Sequence, residues 1–390
     1  MTTAPVDAAP LRTASGGSVD LPGAGTLQGT RVLTLGGIGP VQFCQMMLAD
    51  QGADVVMVER PGGGPDVWDR ALSAEGIDIL GRGARRVEID LKSDAGRALV
   101  MELVTRVDVV LEGFRPGVVE RLDLGPDVLR TANPRLVVGR MTGYGQSGPL
   151  AARAGHDINY IARTGVLHAV GRSGGPPQVP LNLVADYGGG GMLLAFGICA
   201  ALLERERSGQ GQLVDTSMVD GVAILLASTL EKLANGHWRD ERGTNSLDTG
   251  DPEYDVYETA DRRWMAVGAR EPDFRRALLA GLGLPELPRA ESDEDRAERR
   301  RVLAARFRTR TRDEWAVTFA SLDACVEPVL SLTEAVTDPA LRERGTFRMR
   351  GGNAEPGPTP RFSRTPGRVR PPRGRLSPDQ VLAAWPAGHS

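Results

Sequence analysis

Arg31-Val-Leu-Thr-Leu-Gly-Gly-Ile-Gly-Pro-Val-Gln-Phe-Cys-Gln-Met-Met-Leu-Ala-Asp-Gln-Gly-Ala-Asp-Val-Val-Met-Val58 reads as strand, glycine turn, helix, strand. The apolar run Arg31–Leu35 stops at Gly36-Gly37, and a helical stretch from Val41 to Gln51 follows, with Gly52 placed to close it. Asp54–Val58 is a second buried strand. Working outward, Val87–Leu91, Val107–Leu111 and Leu136–Gly139 read as further strands. Helical patterns at Asp94–Arg106 and Pro126–Ala132 lie between them, and Leu99, Leu103 and Val107 recur at the spacing of a helix resting on a sheet. This alternation implies an α/β fold, a Rossmann-like, mostly parallel sheet with right-handed crossovers.

Beyond it the chain turns helical from Gly188 to Arg205 and from Ser217 to about Asn235, which closes a large α/β domain spanning 23–235. Residues 236–251 are polar and glycine-containing, as a linker is. A smaller α+β domain over 252–330 pairs strands Tyr254–Thr259 and Trp264–Val267. Its helices fall at Pro272–Ala280 (closed by Gly281), Asp293–Arg308 and Arg312–Leu322, the last opened by the capping box Thr311-x-x-Glu314. Residues 331–390 form a return segment to the large domain, extended where Pro, Gly and Arg crowd positions 351–374. Residues 1–22 lack an apolar core and read as a disordered tail, not a signal peptide.

A chain of 390 residues is long for one core, so two domains are expected. A formal net charge of −3 gives no global basic field, which argues against nucleic-acid and membrane partners. Three widely spaced cysteines, Cys44, Cys199 and Cys325, form neither a disulfide framework nor a zinc pattern. The longest apolar run, Met192–Leu203, falls short of the roughly 20 residues of a spanning helix. A cytoplasmic protein is expected.

The glycine turn invites a dinucleotide reading, but Gly37-Ile38-Gly39-Pro40-Val41-Gln42 puts Gln42 where the G-x-G-x-x-G fingerprint requires its third glycine. Three other features carry chemistry. Gly155-His156-Asp157-Ile158-Asn159-Tyr160 holds one of only four histidines, and imidazole exchanges protons near neutral pH. Asn182-Leu-Val-Ala-Asp186-Tyr-Gly-Gly-Gly-Gly191 offers an aspartate that is either a helix N-cap or an acid–base group. Its four glycines would let a ligand approach backbone N–H groups at a helix start, where an oxyanion is stabilised. In Gly268-Ala-Arg270-Glu271-Pro272, Glu271 either opens a helix or orients a histidine.

Together with Asp90-Leu-Lys92, Glu112-Gly-Phe-Arg115-Pro-Gly117, Arg140-Met-Thr-Gly-Tyr-Gly-Gln-Ser-Gly148-Pro149 and Arg361-Phe-Ser-Arg364-Thr365, these motifs resemble the α-methylacyl-CoA racemases of the family III CoA-transferase superfamily, in order from about Arg31 to Arg364. The resemblance implies an interlocked homodimer whose active site lies between the large domain of one subunit and the small domain of the other. His156 and Asp186 correspond to the two acid–base residues, Glu271 to the partner of the histidine and Asn182 to a neighbouring polar support. Ile38, Arg60, Ile89, Arg115 and Arg121 correspond to the coenzyme A contacts. Guanidinium suits them chemically, since it binds phosphate bidentately and stacks on purines.

The activity so implied is inversion of the α-carbon of a 2-methyl-branched acyl-CoA thioester. One of His156 and Asp186 removes the α-proton to give an enolate, and the other returns a proton on the opposite face. No metal or resident cofactor is implied, because coenzyme A arrives with the substrate. The alternative within the superfamily is transfer of coenzyme A between carboxylic acids, with Asp186 as the nucleophile.

Overall fold

The computed structural model describes residues 25–62, 77–286, 290 and 292–387, so the tail expected at 1–22 lies outside the described residues. The strands are β1 (Arg31–Gly36), β2 (Asp54–Glu59), β3 (Ala84–Glu88), β4 (Val109–Glu112), β5 (Val137–Thr142), β6 (Leu213–Ser217), β7 (Tyr254–Glu258), β8 (Trp264–Gly268), β9 (Val326–Pro328), β10 (Phe347–Arg350), β11 (Asn353–Pro356) and β12 (Arg375–Leu376). Seven of them form one sheet in the order β12-β3-β2-β1-β4-β5-β6, and every pairing in it is parallel. From β1 the chain builds outward one way through β2 and β3, then returns to the other side of β1 with β4. The carboxyl ends of β1 and β4 therefore flank the crevice in which open α/β sheets take ligands.

Alternation along the strands explains the two cores. Val32, Val55, Val109 and Val137 face one side, where they meet Val41, Cys44 and Leu48 of α1 (Pro40–Asp50). Leu33, Val56, Val110 and Val138 face the other, against Val100 and Leu103 of α2 (Asp94–Val104). The helices α3 (Val118–Arg121), α4 (Pro126–Ala132), α5 (Asp157–Arg163) and α6 (Val166–Ala169) follow. A π-helix, Leu183–Met192, then runs without a break into α7 (Leu193–Ser208), and α8 (Met218–Leu225) and α9 (Ala227–Ala234) come after β6. Residues near the C-terminus rejoin this sheet. β12 pairs with β3, and Val381 and Trp385, both fully buried, enter the Leu33 core.

The antiparallel strands β7, β8 and β9 form a separate sheet with its own core of Tyr257, Met265, Phe307, Trp315 and Phe319, beneath α10 (Pro272–Leu282), α11 (Asp293–Phe307) and α12 (Arg312–Phe319). The capping box at Thr311 is present, with the Glu314 N–H donating to the Thr311 hydroxyl and the Thr311 N–H to the Glu314 carboxylate.

Three local expectations change. β3 begins at Ala84, three residues before the expected start, because Arg85 and Arg86 are strand residues neutralised by neighbours. Arg85 pairs with Asp54, and Arg86 with Glu59 and Asp78. The α10 helix passes through Gly281 and ends at Gly283, which takes the left-handed conformation. Gly281 is instead a packing position, where a Cβ would sit 2.5 Å from the Phe319 ring. The apolar helix is also longer than Met192–Leu203. With the π-turn it spans Leu183–Ser208, 26 residues, and by length and composition alone it could cross a bilayer. In this fold Leu194 and Ile198 are buried in the core shared with β4, β5 and α1.

Candidate active site

The loop after β1 sets one wall of the site. Gly37 has φ 129°, and a Cβ there would meet Val41 and the Gly113 backbone, so the turn closes tightly against the loop that follows β4. Gly39 has φ 54°, and its missing Cβ would point to within 3.8 Å of Asp186 Oδ2. The turn read as a failed dinucleotide fingerprint thus faces the aspartate.

A second wall is the start of α5. His156 is its N-cap, and the His156 backbone N–H donates to Asn159 Oδ1 at 3.0 Å, which fixes the main chain while the imidazole stays exposed. Tyr160 packs edge-on to Tyr144, donates to the Gly155 carbonyl at 2.6 Å, and is pushed up to about 12, chiefly by burial. Asp157, next to His156, points the opposite way into the protein and is 4% exposed. Its Oδ2 accepts from the Ala185 N–H at 2.7 Å and from the Asp186 N–H at 2.9 Å.

Asp186 lies in the first turn of the π-helix and is half-buried. Burial raises its carboxyl above the ordinary aspartate value. The hydrogen bond from Asn182 Nδ2, 3.1 Å from Oδ2, opposes the rise, the Asp157 charge adds to it and the His156 charge opposes it. His156, Asp186 and Asn182 are therefore brought together, with the imidazole close enough for its charge to act on the carboxyl.

The four glycines have a different role from the one expected. The helix starts at Leu183, five residues before Gly188, so Asp186 is inside it and is not its N-cap. The N–H groups of Gly188–Gly191 lie within the helical ladder and do not form an open cradle for an oxyanion. What the glycines permit is helix contact. A Cβ on Gly189 would meet Val222 N at 2.8 Å, and one on Gly191 would meet Pro40 O at 2.7 Å. Absence of side chains lets the π-helix lie directly on α8 and α1, and a π-turn in an α-helix frequently marks a functional position.

Glu271 is elsewhere. It caps α10 in the smaller unit, is exposed, and makes no hydrogen bond to His156. Its charge is felt instead by Cys325.

The expected coenzyme A contacts sit along one edge of the sheet. Ile38 follows β1 and is 55% exposed, Arg60 follows β2, Ile89 follows β3, Arg115 follows β4, and Arg121 ends α3. Among the described residues, the exposed Arg60, Arg115 and Arg121 have no carboxylate partner, so their donors are free to meet an anion at the switch point. Ile89 is buried, and it contributes packing with its N–H given to the Glu59 carbonyl at 2.9 Å. By contrast, Arg82 is consumed within the fold by Asp50 and the Pro356 carbonyl. Asp157 and Tyr160 were not singled out by sequence reasoning. Their signal was present in the motif that contains His156, but the chain gives no cue that Asp157 points inward.

Residues 27–379 match the profile of CoA-transferase family III. The chain is 46% identical over 343 residues to the α-methylacyl-CoA racemases of Mus musculus and Homo sapiens, covering 87% of each chain in both comparisons. It is 33% identical over 372 residues to succinyl-CoA–D-citramalate CoA-transferase of Chloroflexus aurantiacus, covering 88% of this chain and 89% of that one. Among solved structures, a CaiB/BaiF family protein of Brucella suis superposes with a TM-score of 0.77 at 26% identity over 93% of this chain and 98% of that one. A Mycobacterium tuberculosis protein gives 0.77 at 28% over 93% and 100%. With the parallel sheet, the arginines at its switch point and a profile match over most of its length, this chain belongs to CoA-transferase family III.

Proposed function

We propose that the chain is a cytoplasmic racemase of 2-methyl-branched acyl-CoA thioesters that works by proton transfer through an enolate. The observation that carries this reading is the convergence of two proton carriers, His156 and Asp186, one an exposed imidazole and the other a carboxyl whose proton is held by burial. A pair of groups able to give and take a proton at one carbon is what inversion needs. The 46% identity to two racemases supports the same choice over coenzyme A transfer.

In this mechanism the thioester lies with coenzyme A along the carboxyl edge of β1–β4, held by Ile38, Arg60, Arg115 and Arg121, with the strand end at Ile89 contributing to the adenine pocket. One carrier takes the α-proton and the other delivers a proton to the opposite face; the roles exchange for the other enantiomer. Asn182 holds the Asp186 carboxyl through its Nδ2 bond. Glu271 reaches His156 from a second subunit and fixes the imidazole tautomer. Met192, Phe196, Leu203, Ile224 and Leu225 lie exposed on the π-helix, α7 and α8, an apolar face suited to cover by that second copy.

The test is deuterium wash-in from heavy water at the α-carbon, starting from each enantiomer of a branched acyl-CoA. Both should incorporate label, and His156→Ala should abolish inversion. No incorporation with any branched acyl-CoA defeats the reading. Trapping of an acyl adduct on Asp186 by hydroxylamine in the presence of an acceptor acid favours transfer instead.

A further inference from the structure

We propose that Asp157 is a positioning residue that fixes Asp186 relative to His156, so that both carriers reach one carbon. The inference rests on the racemase reading for its kinetic consequence, although the geometry stands without it.

Asp157 occupies a place from which this can be done. It is covalently next to His156, and its side chain is buried between α5 and the π-helix. One carboxylate oxygen, Oδ2, takes the main-chain N–H of Asp186 itself and that of Ala185. These N–H groups belong to the first turn of the π-helix, where no preceding turn supplies carbonyls to accept them. A charge-assisted pair of this kind is about twice as strong as a neutral one. The link from imidazole to carboxyl therefore runs through one Cα–Cα step, one short side chain and two hydrogen bonds, with no flexible segment. The second oxygen, Oδ1, is buried without a hydrogen-bond partner. A lone helix cap would not keep an unsatisfied carboxylate oxygen there, since a serine would satisfy an N–H at lower desolvation cost. What a carboxylate adds is charge, and that charge opposes ionisation of Asp186.

Two consequences follow, one geometric and one electrostatic. Loss of the two hydrogen bonds lets Asp186 move relative to His156, and misplacement on the order of 1 Å costs about 10²-fold in rate. Loss of charge alone lets Asp186 ionise at lower pH. Neither touches the coenzyme A edge of the sheet, so KM should hold while kcat falls.

The experiment uses the full chain with Asp157→Asn, which keeps an acceptor and removes the charge, and Asp157→Ala, which removes both. The Asp186 carboxyl is titrated by carbon-13 NMR, a readout independent of turnover, and α-proton exchange is measured against pH. Asp157→Asn should lower the Asp186 midpoint and move the acid limb of the exchange profile to lower pH. Asp157→Ala should reduce kcat by about 10–100-fold with KM within about twofold of wild type. If Asp157→Ala does not fold, Asp157→Asn carries the test. An unmoved Asp186 midpoint in Asp157→Asn, or parallel losses in kcat and KM that track thermal stability, overturns the proposal. A shifted midpoint in Asp157→Asn, when the wild type itself exchanges no α-proton, defeats the racemase reading and leaves the positioning role intact.

Discussion

Replacing Gly221 by alanine should cost both stability and activity, because the cost comes from backbone meeting backbone. A Cβ at this position of α8 would lie 1.9 Å from the Gly189 carbonyl oxygen and 2.5 Å from its carbon. Ordinary contact begins at 3.4 Å, so the helices must separate by about 1.5 Å, and no side-chain rotation can absorb the difference. Overpacking of this kind costs roughly 1–3 kcal/mol, with the rigid obstacle favouring the upper end. Alanine returns about 1 kcal/mol of helix propensity, which leaves a net loss of about 2 kcal/mol. Since Gly189 is in the same π-helix as Asp186, the displacement should also lower proton exchange by about 10²-fold. Urea denaturation should give a lower midpoint at an unchanged slope, and deuterium wash-in should fall at saturating substrate. Gly188→Ala is the control. Its Cβ would meet the Leu183 carbonyl at 3.1 Å and the Leu225 side chain at 3.4 Å, a strain relieved by a few tenths of an ångström. A Gly221→Ala protein as stable as wild type, or more stable by the propensity term, would refute the reasoning.

Other perturbations test other parts of the structure. Arg82→Ala should cost about 3–5 kcal/mol in urea denaturation, since Arg82 and Asp50 are both buried and Asp50, already raised by burial, would lose its counter-charge. The double variant with Asp50→Ala should recover part of that loss. Because the folded Asp186 carboxyl is raised above its ordinary value of 3.8, the folded chain holds this proton more tightly than the unfolded chain. The resulting stability is fully present below 3.8 and is lost as pH rises through the folded value. Asp186→Asn should therefore melt above wild type at pH 7, with the gap narrowing as pH falls toward 3.8. Arg115→Ala should raise KM for an acyl-CoA about tenfold, the equivalent of about 1.4 kcal/mol, with a smaller effect on kcat, because its guanidinium is placed to hold the coenzyme A and exchanges no proton with the substrate.

Much of this was legible because α/β sheets announce themselves through pattern. Arg31–Val58 alone specified a strand, a crossover helix and a parallel strand, and Pro126–Ala132 matched its observed helix residue for residue. The misreadings share one physical cause, that a residue's type does not disclose its partner. Arg85 and Arg86 look like surface charge in sequence, but three carboxylates, Asp54 and Glu59 on the neighbouring strand and Asp78 just upstream, allow them into a strand. β6 was missed because Leu213-Val-Asp-Thr-Ser217 is a short, half-exposed edge without an apolar run. The glycines at 188–191 were assigned to a ligand because glycine in a helix is costly, and the compensation comes from α8 and α1, which sequence reading could not place beside them. Likewise the motif around His156 showed where a proton carrier lay, but not that its neighbour Asp157 ties it to Asp186.

Glu271 poses a sharper problem, because within one chain it caps a helix of the smaller unit and makes no hydrogen bond to the histidine it should orient. If that pairing forms between subunits, the two residues of one site come from different chains, and genetic complementation becomes a geometric measurement. Co-express His156→Ala and Glu271→Ala chains with different affinity tags and purify the mixed dimer through both tags in succession. One of its sites then combines Ala at 156 with Ala at 271 and is inactive. The other takes its intact histidine from the second chain and its intact glutamate from the first, so it is whole. A mixed dimer should thus recover about half of the wild-type exchange rate, as the isologous symmetry of a two-fold dimer dictates, although each parent dimer is defective at both of its sites. If the histidine and glutamate of one chain served the same site, every site in the mixed dimer would carry one lesion and no activity would return beyond that of the parents. Recovery would also account for the exposed apolar side chains of α7 and α8 at Phe196 and Ile224, since a site that is incomplete in one chain requires a partner held long enough to complete it.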